Sequence, residues 1–101
     1  MSLNAILERE TGEVRKMMTA SPGMRAFLPS PDDESFRCIG FIDDNGYTLF
    51  NWLQMPTLMK ELSQIETTIT DRGALEFLRK LHEIAEECRA GVHLYVRLVG
   101  N

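Results

Sequence analysis

Apolar and polar residues alternate one by one near the C-terminus of the chain. From Val92 to Val99 the two alternating sets are the apolar residues Val92, Leu94, Val96 and Leu98 and the polar residues His93, Tyr95 and Arg97. A period of two is typical of a strand with one buried face and one face in water. The pattern therefore predicts a half-buried strand at the end of the chain.

Two segments upstream have the spacing of amphipathic helices. Residues 56–66 repeat apolar side chains at helical intervals: Leu58, Met59, Leu62 and Ile65. Pro56 suits the first turn of a helix, because the N–H that proline lacks would be unpaired there. A longer helix follows a cap at Thr70 or Asp71 and ends at Gly91, a residue type favoured just beyond a helix. Its apolar face consists of Leu75, Leu78, Leu81, Ile84, Ala85 and Cys88.

Residues 36–50 predict a β-hairpin. An extended segment from Phe36 to Ile42 leads into the turn sequence Asp43-Asp44-Asn45-Gly46. Asn-Gly is a strong hairpin signal because both residues tolerate the positive φ angles of a tight turn. Tyr47–Phe50 is rich in aromatic and β-branched residues, which favour a return strand. The acids resemble part of a calcium loop, but the later ligands of an EF-hand are missing, so we interpret them as turn residues.

The N-terminal third has weaker patterns. Residues 3–18 approximate helical spacing and predict a first helix, although Thr11-Gly12 interrupts the apolar stripe. Ser21-Pro22 is a candidate cap for a short turn over Met24–Leu28. Residues 29–34, rich in proline and acids, then form a polar link to the hairpin.

These elements predict a single α+β domain over residues 1–101. A small antiparallel or mixed three-stranded sheet, made of the hairpin plus the C-terminal strand, is covered on one face by two to three helices. This is the economical arrangement, because each amphipathic element needs a partner for its apolar side. The final strand lies next to either the first or the second strand of the hairpin, and the sequence leaves both positions open.

Composition narrows the classes of partner. The 101 residues include eleven basic and fifteen acidic side chains, which leave a net charge of −4. An acidic chain lacks the positive field that draws proteins to nucleic acids and to anionic membranes. No apolar run reaches the roughly 20 residues of a membrane span, and Glu8, Arg9 and Glu10 interrupt any signal-peptide core. We therefore expect a cytoplasmic protein, small enough for a homodimer to be a reasonable expectation.

No arrangement of residues predicts catalysis, a cofactor or a metal site. His82 has no second histidine four positions later, so the helical zinc signature is missing. The glycines do not form a phosphate-binding loop. Cys38 and Cys88 are interpreted as buried, reduced thiols.

The candidate binding residues are His93, Tyr95, Arg97 and Trp52. The first three share the polar side of the predicted C-terminal strand, where they suit partner binding, or anion binding and acid–base chemistry. Trp52 most simply packs in the core with its aromatic neighbours; if it is exposed, it is a residue type that anchors interfaces.

The first block of note is Gly46-Tyr47-Thr48-Leu49-Phe50-Asn51-Trp52-Leu53-Gln54, followed by Leu58 and Glu61-Leu62, and the second is the ending from Gly91 to Asn101 with its His-x-Tyr strand. Together the two blocks resemble a group of small bacterial proteins. The size and acidity of that group are similar to those of immunity proteins that neutralise secreted toxins. The resemblance implies no catalytic residues. The first hypothesis is therefore a non-enzymatic protein-binding module of immunity or inhibitor type; the alternative is a small enzyme or ligand-binding domain using the polar face of the C-terminal strand.

Overall fold

A computed structural model describes residues 3–20, 23–43 and 45–100 of the chain. They form strands β1 (Leu3–Arg9), β2 (Val14–Thr19), β3 (Tyr47–Asn51) and β4 (Leu94–Gly100) and helices α1 (Met55–Glu66) and α2 (Arg72–Ala90), with short 3-10 turns at Met24–Phe27, Ile39–Phe41 and Trp52–Gln54. The strands form one antiparallel sheet in the order β2-β1-β4-β3. The α+β class is confirmed, but the sheet has four strands instead of the predicted three.

The additional strands replace the helix predicted over residues 3–18. β1 and β2 pair from Asn4 opposite Thr19 to Glu8 opposite Val14. Gly12, with a φ of 91°, makes the turn between them. β1 also pairs with β4 along its other side, so its backbone groups are bonded on both sides. The hydrogen bonds between these paired strands outweigh the approximate helical spacing of residues 3–18. That spacing is a weak local signal, and tertiary contacts override it.

β4 occupies the middle of the sheet although it is last in the sequence. It pairs with β1 from Leu3 opposite Gly100 onward, and with β3 from Tyr47 opposite Val99 onward. The C-terminal strand thus lies beside the Tyr47–Phe50 segment, one of the two neighbours that the sequence left open.

The predicted first arm of the hairpin is not a strand. The backbone N–H groups of Arg37, Cys38 and Ile39 donate to the carboxylate of Glu61 on α1 instead of to a neighbouring strand. Glu61 is only 3% exposed, so these hydrogen bonds satisfy a buried charge. Residues 36–42 therefore form a loop packed against α1, and the predicted hairpin is wrong.

The turn before β3 also differs from the expected hairpin turn. Asp43 Oδ1 accepts a hydrogen bond from the Asn45 N–H at 2.8 Å, while the Asp43 N–H donates to Thr48 Oγ1 at 2.9 Å. Gly46 does not adopt a positive φ. Side-chain hydrogen bonds thus shape this turn. Asp44, like the candidate cap Ser21-Pro22, lies outside the described residues.

Both predicted helices in the second half of the chain are present. α1 begins one residue before the predicted start, and α2 is capped by Asp71, whose Oδ2 accepts from the Ala74 N–H at 2.9 Å. α2 ends before Gly91 as predicted, but Gly91 has a φ of −90°. A Cβ at this position would lie 2.2 Å from Leu94 Cδ1, so any larger residue would require the buried Leu94 side chain to shift.

The helices cover one face of the sheet. Leu7, Val96 and Leu98 point from the strands into a core that includes Leu62 and Leu78 from the helices. The short turn at Met24–Phe27 adds Met24 to this core. Within the described part of the chain, neither helix has the combination of length and hydrophobicity needed to cross a bilayer. No helix of the described residues covers the opposite face of the sheet, and that face contains the candidate site.

Candidate functional site

The uncovered side of the sheet is formed by the alternate residues of all four strands. Because successive side chains of a strand point to opposite faces, the residues that alternate with core residues such as Leu7, Phe50 and Val96, together with their partners on β2, point away from the helices. The strand register aligns them in three rows: Thr19–Asn4–Val99–Tyr47, Met17–Ile6–Arg97–Leu49 and Val14–Glu8–Tyr95–Asn51. We call this surface the open face.

Arg97 lies at the centre of the open face and contacts residues in both neighbouring rows. Its Nη2 donates to Glu8 Oε2 at 3.2 Å, and its Nε lies 3.0 Å from Glu8 Oε1 without hydrogen-bond geometry. On the other side, the Arg97 guanidinium lies over the Tyr47 ring, 5.8 Å from its centroid, within cation–π range. A diagonal of Glu8, Arg97 and Tyr47 therefore crosses three strands.

The ion pair is partly removed from solvent. The side chains of Glu8 and Arg97 are 13% and 31% exposed, respectively. Partial burial weakens solvent screening, so the attraction exceeds that of a fully exposed pair. The charge of Arg97 is already matched by Glu8, which makes this arginine a poor site for a free anion.

Apolar side chains flank the ion pair at both edges of the sheet. Tyr47 is 73% exposed, Leu49 is 57% exposed and Met17 is 64% exposed. Val14 adds a further exposed side chain on β2. Exposed apolar patches bordered by polar groups are typical of protein-interaction surfaces. The open face thus combines apolar area with a central charged pair.

A cleft of about 300 Å³ opens at one end of this face. It is lined by Glu8, Arg9, Glu10, Gly12, Leu49 and Tyr95. The hydroxyl of Tyr95 makes no hydrogen bond to the described part of the chain, so it is available to a ligand or partner. Among residues 3–20, 23–43 and 45–100, no group of three or more His, Cys, Asp or Glu side chains is arranged to hold a metal ion.

The structure separates the four sequence-predicted binding residues. Tyr95 and Arg97 lie side by side on the open face, in adjacent rows. His93 precedes β4, has a φ of 59° and places its Nδ1 3.4 Å from Glu10 Oε2. It is therefore a turn residue at the end of the sheet, and the expectation that the strand begins at Val92 is wrong.

Trp52 lies on the 3-10 turn that follows β3. It is half exposed, and its neighbour Leu53 is more exposed still. The expectation that Trp52 packs in the core is therefore wrong. The turn is held by Asn51, whose Oδ1 accepts from the N–H groups of Leu53 and Gln54 at 3.1 and 3.3 Å. This capping interaction marks the end of β3, and the turn that it caps leads directly into α1.

Sequence reasoning missed Glu8 and Met17 as parts of the site. Both belong to residues 3–18, for which the sequence predicts a helix, and in a helix they would not share a sheet face with Arg97. The available signal was weak: Leu3, Ala5 and Leu7 are apolar at every second position and Thr11-Gly12 follows as a turn, but Ile6 is also apolar and buried and interrupts the alternation. Leu49 was also missed, although it alternates with buried Phe50 on β3.

The two cysteines are unsuited to nucleophilic chemistry. Both are buried, as expected. Burial raises the pKa of Cys88 from 9.0 to about 11. Burial, with a smaller contribution from the charge of Glu61, raises the pKa of Cys38 to about 11. Both thiols are therefore neutral near pH 7, whereas a reactive cysteine needs a lowered pKa.

Comparison with known proteins adds no relative to these observations: no protein family, no curated protein and no solved structure matches this chain.

Proposed function

We propose that this chain is a non-enzymatic protein-binding module of immunity or inhibitor type, with the open face as its partner-binding surface. The observation that carries the proposal is a sheet face without helical cover among the described residues, on which exposed apolar side chains of both edge strands flank the Glu8–Arg97 pair. Tyrosine and arginine are enriched at binding hot spots, because each combines apolar area with directed hydrogen bonds. Tyr95 and Arg97 are therefore the residues expected to contribute most.

The shape of the surface favours a protein over a small molecule. Ligand pockets occupy about 300–1,000 Å³ and enclose most of their ligand. The cleft beside Tyr95, at about 300 Å³, reaches only the lower limit of that range. The open face instead extends across all four strands, and its exposed apolar side chains lie on the two edge strands, β2 and β3. A small-ligand function centred on this cleft remains the second candidate, with Tyr95 as its contact residue.

The overall charge suggests the kind of protein partner. The chain has a net charge of −4. Opposite net charges steer two proteins toward each other and raise the association rate. A basic partner, such as a nuclease-like secreted toxin, therefore suits this chain better than an acidic one.

The test begins with the genes beside the one for this chain, where the proposal expects a secreted toxin to be encoded. Absence of such a gene, together with no partner in a pull-down, would overturn the proposal. The purified toxin is titrated with the wild type and with Tyr95→Ala and Arg97→Ala, and cells producing the toxin are scored for survival with each variant. We expect wild-type protection and a roughly 30-fold weaker Kd for each variant, which corresponds to about 2 kcal/mol at a hot spot.

Arg79→Ala is the matched control. Arg79 is also an ion-paired arginine, 2.9 Å from Glu66, but it lies on α2. Its substitution should leave the affinity unchanged. The proposal is wrong if the toxin does not bind the wild type, or if Arg79→Ala weakens binding as much as Arg97→Ala does. Loss of affinity for a small ligand in Tyr95→Ala alone would support the second candidate.

A further inference from the structure

The hydrogen-bond ladder between β3 and β4 shows which backbone groups face the outer edge of β3. The Gly100 N–H donates to the Gly46 C=O at 2.8 Å, which continues the ladder by one pair. Bonded and non-bonded pairs alternate along antiparallel strands. Thr48 and Phe50 therefore bond to β4, while Tyr47 and Leu49, which alternate with them, direct their N–H and C=O groups away from it.

Tyr47 and Leu49 consequently present free backbone groups at the edge of the sheet. No described residue forms a hydrogen bond to these groups on that side. The next residue of β3 whose backbone points outward is Asn51, but its N–H already donates to Gln54 Oε1 at 2.9 Å. The open part of the edge is therefore short and is centred on Thr48.

The two edges of the sheet differ in how they are protected. Native edge strands avoid pairing with other chains through charged side chains, prolines and bulges. β2 contains Arg15 and Lys16, and its pairing with β1 has a register irregularity next to Glu8. β3 has the sequence YTLFN, with neither a charge nor a proline. Only β3 is an unprotected edge in the described sheet.

Exposed apolar side chains concentrate around the same edge. Of the nine exposed large hydrophobic residues in the described part of the chain, five lie within residues 41–53: Phe41, Tyr47, Leu49, Trp52 and Leu53. Phe41 lies beside β3, because its C=O accepts from Thr48 Oγ1 at 3.3 Å. The edge therefore offers apolar area as well as free hydrogen-bonding groups.

We propose that β3 of one molecule pairs antiparallel with β3 of a second copy, with a two-fold axis at Thr48, to form a continuous eight-stranded sheet. In this register Tyr47 of each copy lies opposite Leu49 of the other. Both pairs use the outward backbone groups, and an aromatic side chain meets an aliphatic one in each. The short uncharged edge is thus complementary to a second copy of itself. It offers no charged side chain that would favour a basic partner over this second copy.

The available area indicates a weak dimer. The exposed parts of the five side chains amount to roughly 600 Å² per copy, taking about 200 Å² for a whole aromatic residue. A standard stable interface buries about 800 Å² per partner. We therefore expect dissociation in the micromolar range, with monomer and dimer both populated at accessible concentrations.

Sedimentation of the chain at concentrations from about 1 μM to about 500 μM tests the proposal, because this range includes micromolar Kd values. The wild type should shift from monomer to dimer. Leu49→Lys should remain monomeric, because an edge lysine opposes strand pairing. Met17→Lys is the matched control: it adds the same charge to the same face at the other edge of the sheet, and it should dimerise like the wild type.

Cross-linking tests the register separately. A mixture of Tyr47→Cys and Leu49→Cys should form a disulfide-linked dimer, since bonded antiparallel pairs have Cα atoms about 5.5 Å apart, within disulfide range. Each variant alone should cross-link much less. The proposal is overturned if the wild type stays monomeric, or if Leu49→Lys and Met17→Lys have equal effects on dimerisation. It is also overturned if the mixture cross-links no more than each cysteine variant alone. If melting curves show that Leu49→Lys is unfolded, the cross-linking of the mixed Tyr47→Cys and Leu49→Cys variants tests the proposal in its place. Toxin binding is measured independently, so either proposal can fail alone.

Discussion

β4 supplies neighbouring residues to two very different surfaces. Leu94, Val96 and Leu98 point to the covered face, and Tyr95 and Arg97 lie between them on the open face. The covered face consists of aliphatic side chains that pack under two helices. The open face carries aromatic, charged and flexible side chains that contact one another or water. One strand therefore contributes both to the core and to the candidate binding surface.

The two faces gain stability from different interactions. The stability of the covered face comes from the removal of apolar area from water and from close packing. On the open face, it comes from specific side-chain pairs, such as Glu8 with Arg97 and Arg97 with Tyr47. Substitutions on the covered face should consequently act on folding, and those on the open face mainly on binding.

The largest expected contrast is between two adjacent residues of β4. Leu94→Ala should lower the free energy of unfolding by about 2–5 kcal/mol, because it leaves a cavity in the core. Leu78→Ala on α2 should act similarly. Tyr95→Ala should lower it by only about 1 kcal/mol or less. Denaturant unfolding measures all three. Equal losses for Leu94→Ala and Tyr95→Ala would show that Tyr95 is a structural residue.

Alkaline unfolding tests how well the covered face excludes water. Because the pKa of Cys88 is raised to about 11 in the folded chain, its contribution to stability is complete below pH 9 and is lost as the pH rises to about 11. The stability of the wild type should therefore fall by up to about 1.4 kcal/mol per pH unit more than that of Cys88→Ala in this interval. Identical pH profiles of the two proteins would mean that this thiol is hydrated.

The smallest expected effect is the coupling across the open face. A double-mutant cycle with Glu8→Ala and Arg97→Ala should give about 1 kcal/mol, because both side chains are partly buried. The control cycle uses Glu76 and Lys80, an exposed i,i+4 pair 3.1 Å apart on α2, for which about 0.3–0.5 kcal/mol is expected. If the two coupling energies are equal, the open face does not shield its ion pair.

The elements that sequence predicted well are those whose signals are local. α2 has an uninterrupted apolar stripe and a capping aspartate, and both features act within a few residues. α1 combines a stripe with a proline in its first turn. The alternation in β4 placed Tyr95 and Arg97 on the face away from the helices. In these elements the periodicity of the side chains coincides with the geometry of the backbone.

By itself, then, the sequence determined the α+β class, both helices, the C-terminal strand and its two faces. Only the tertiary structure decided that residues 3–19 form strands, that residues 36–42 form a loop, and that Glu8 and Met17 join the open face. The physical reason is that these features depend on partners distant in the sequence. Arg9 pairs with Leu94 on β4, and Arg37 donates its N–H to buried Glu61 on α1. Backbone groups removed from water must find hydrogen-bond partners, and a local pattern does not specify which distant residue supplies them.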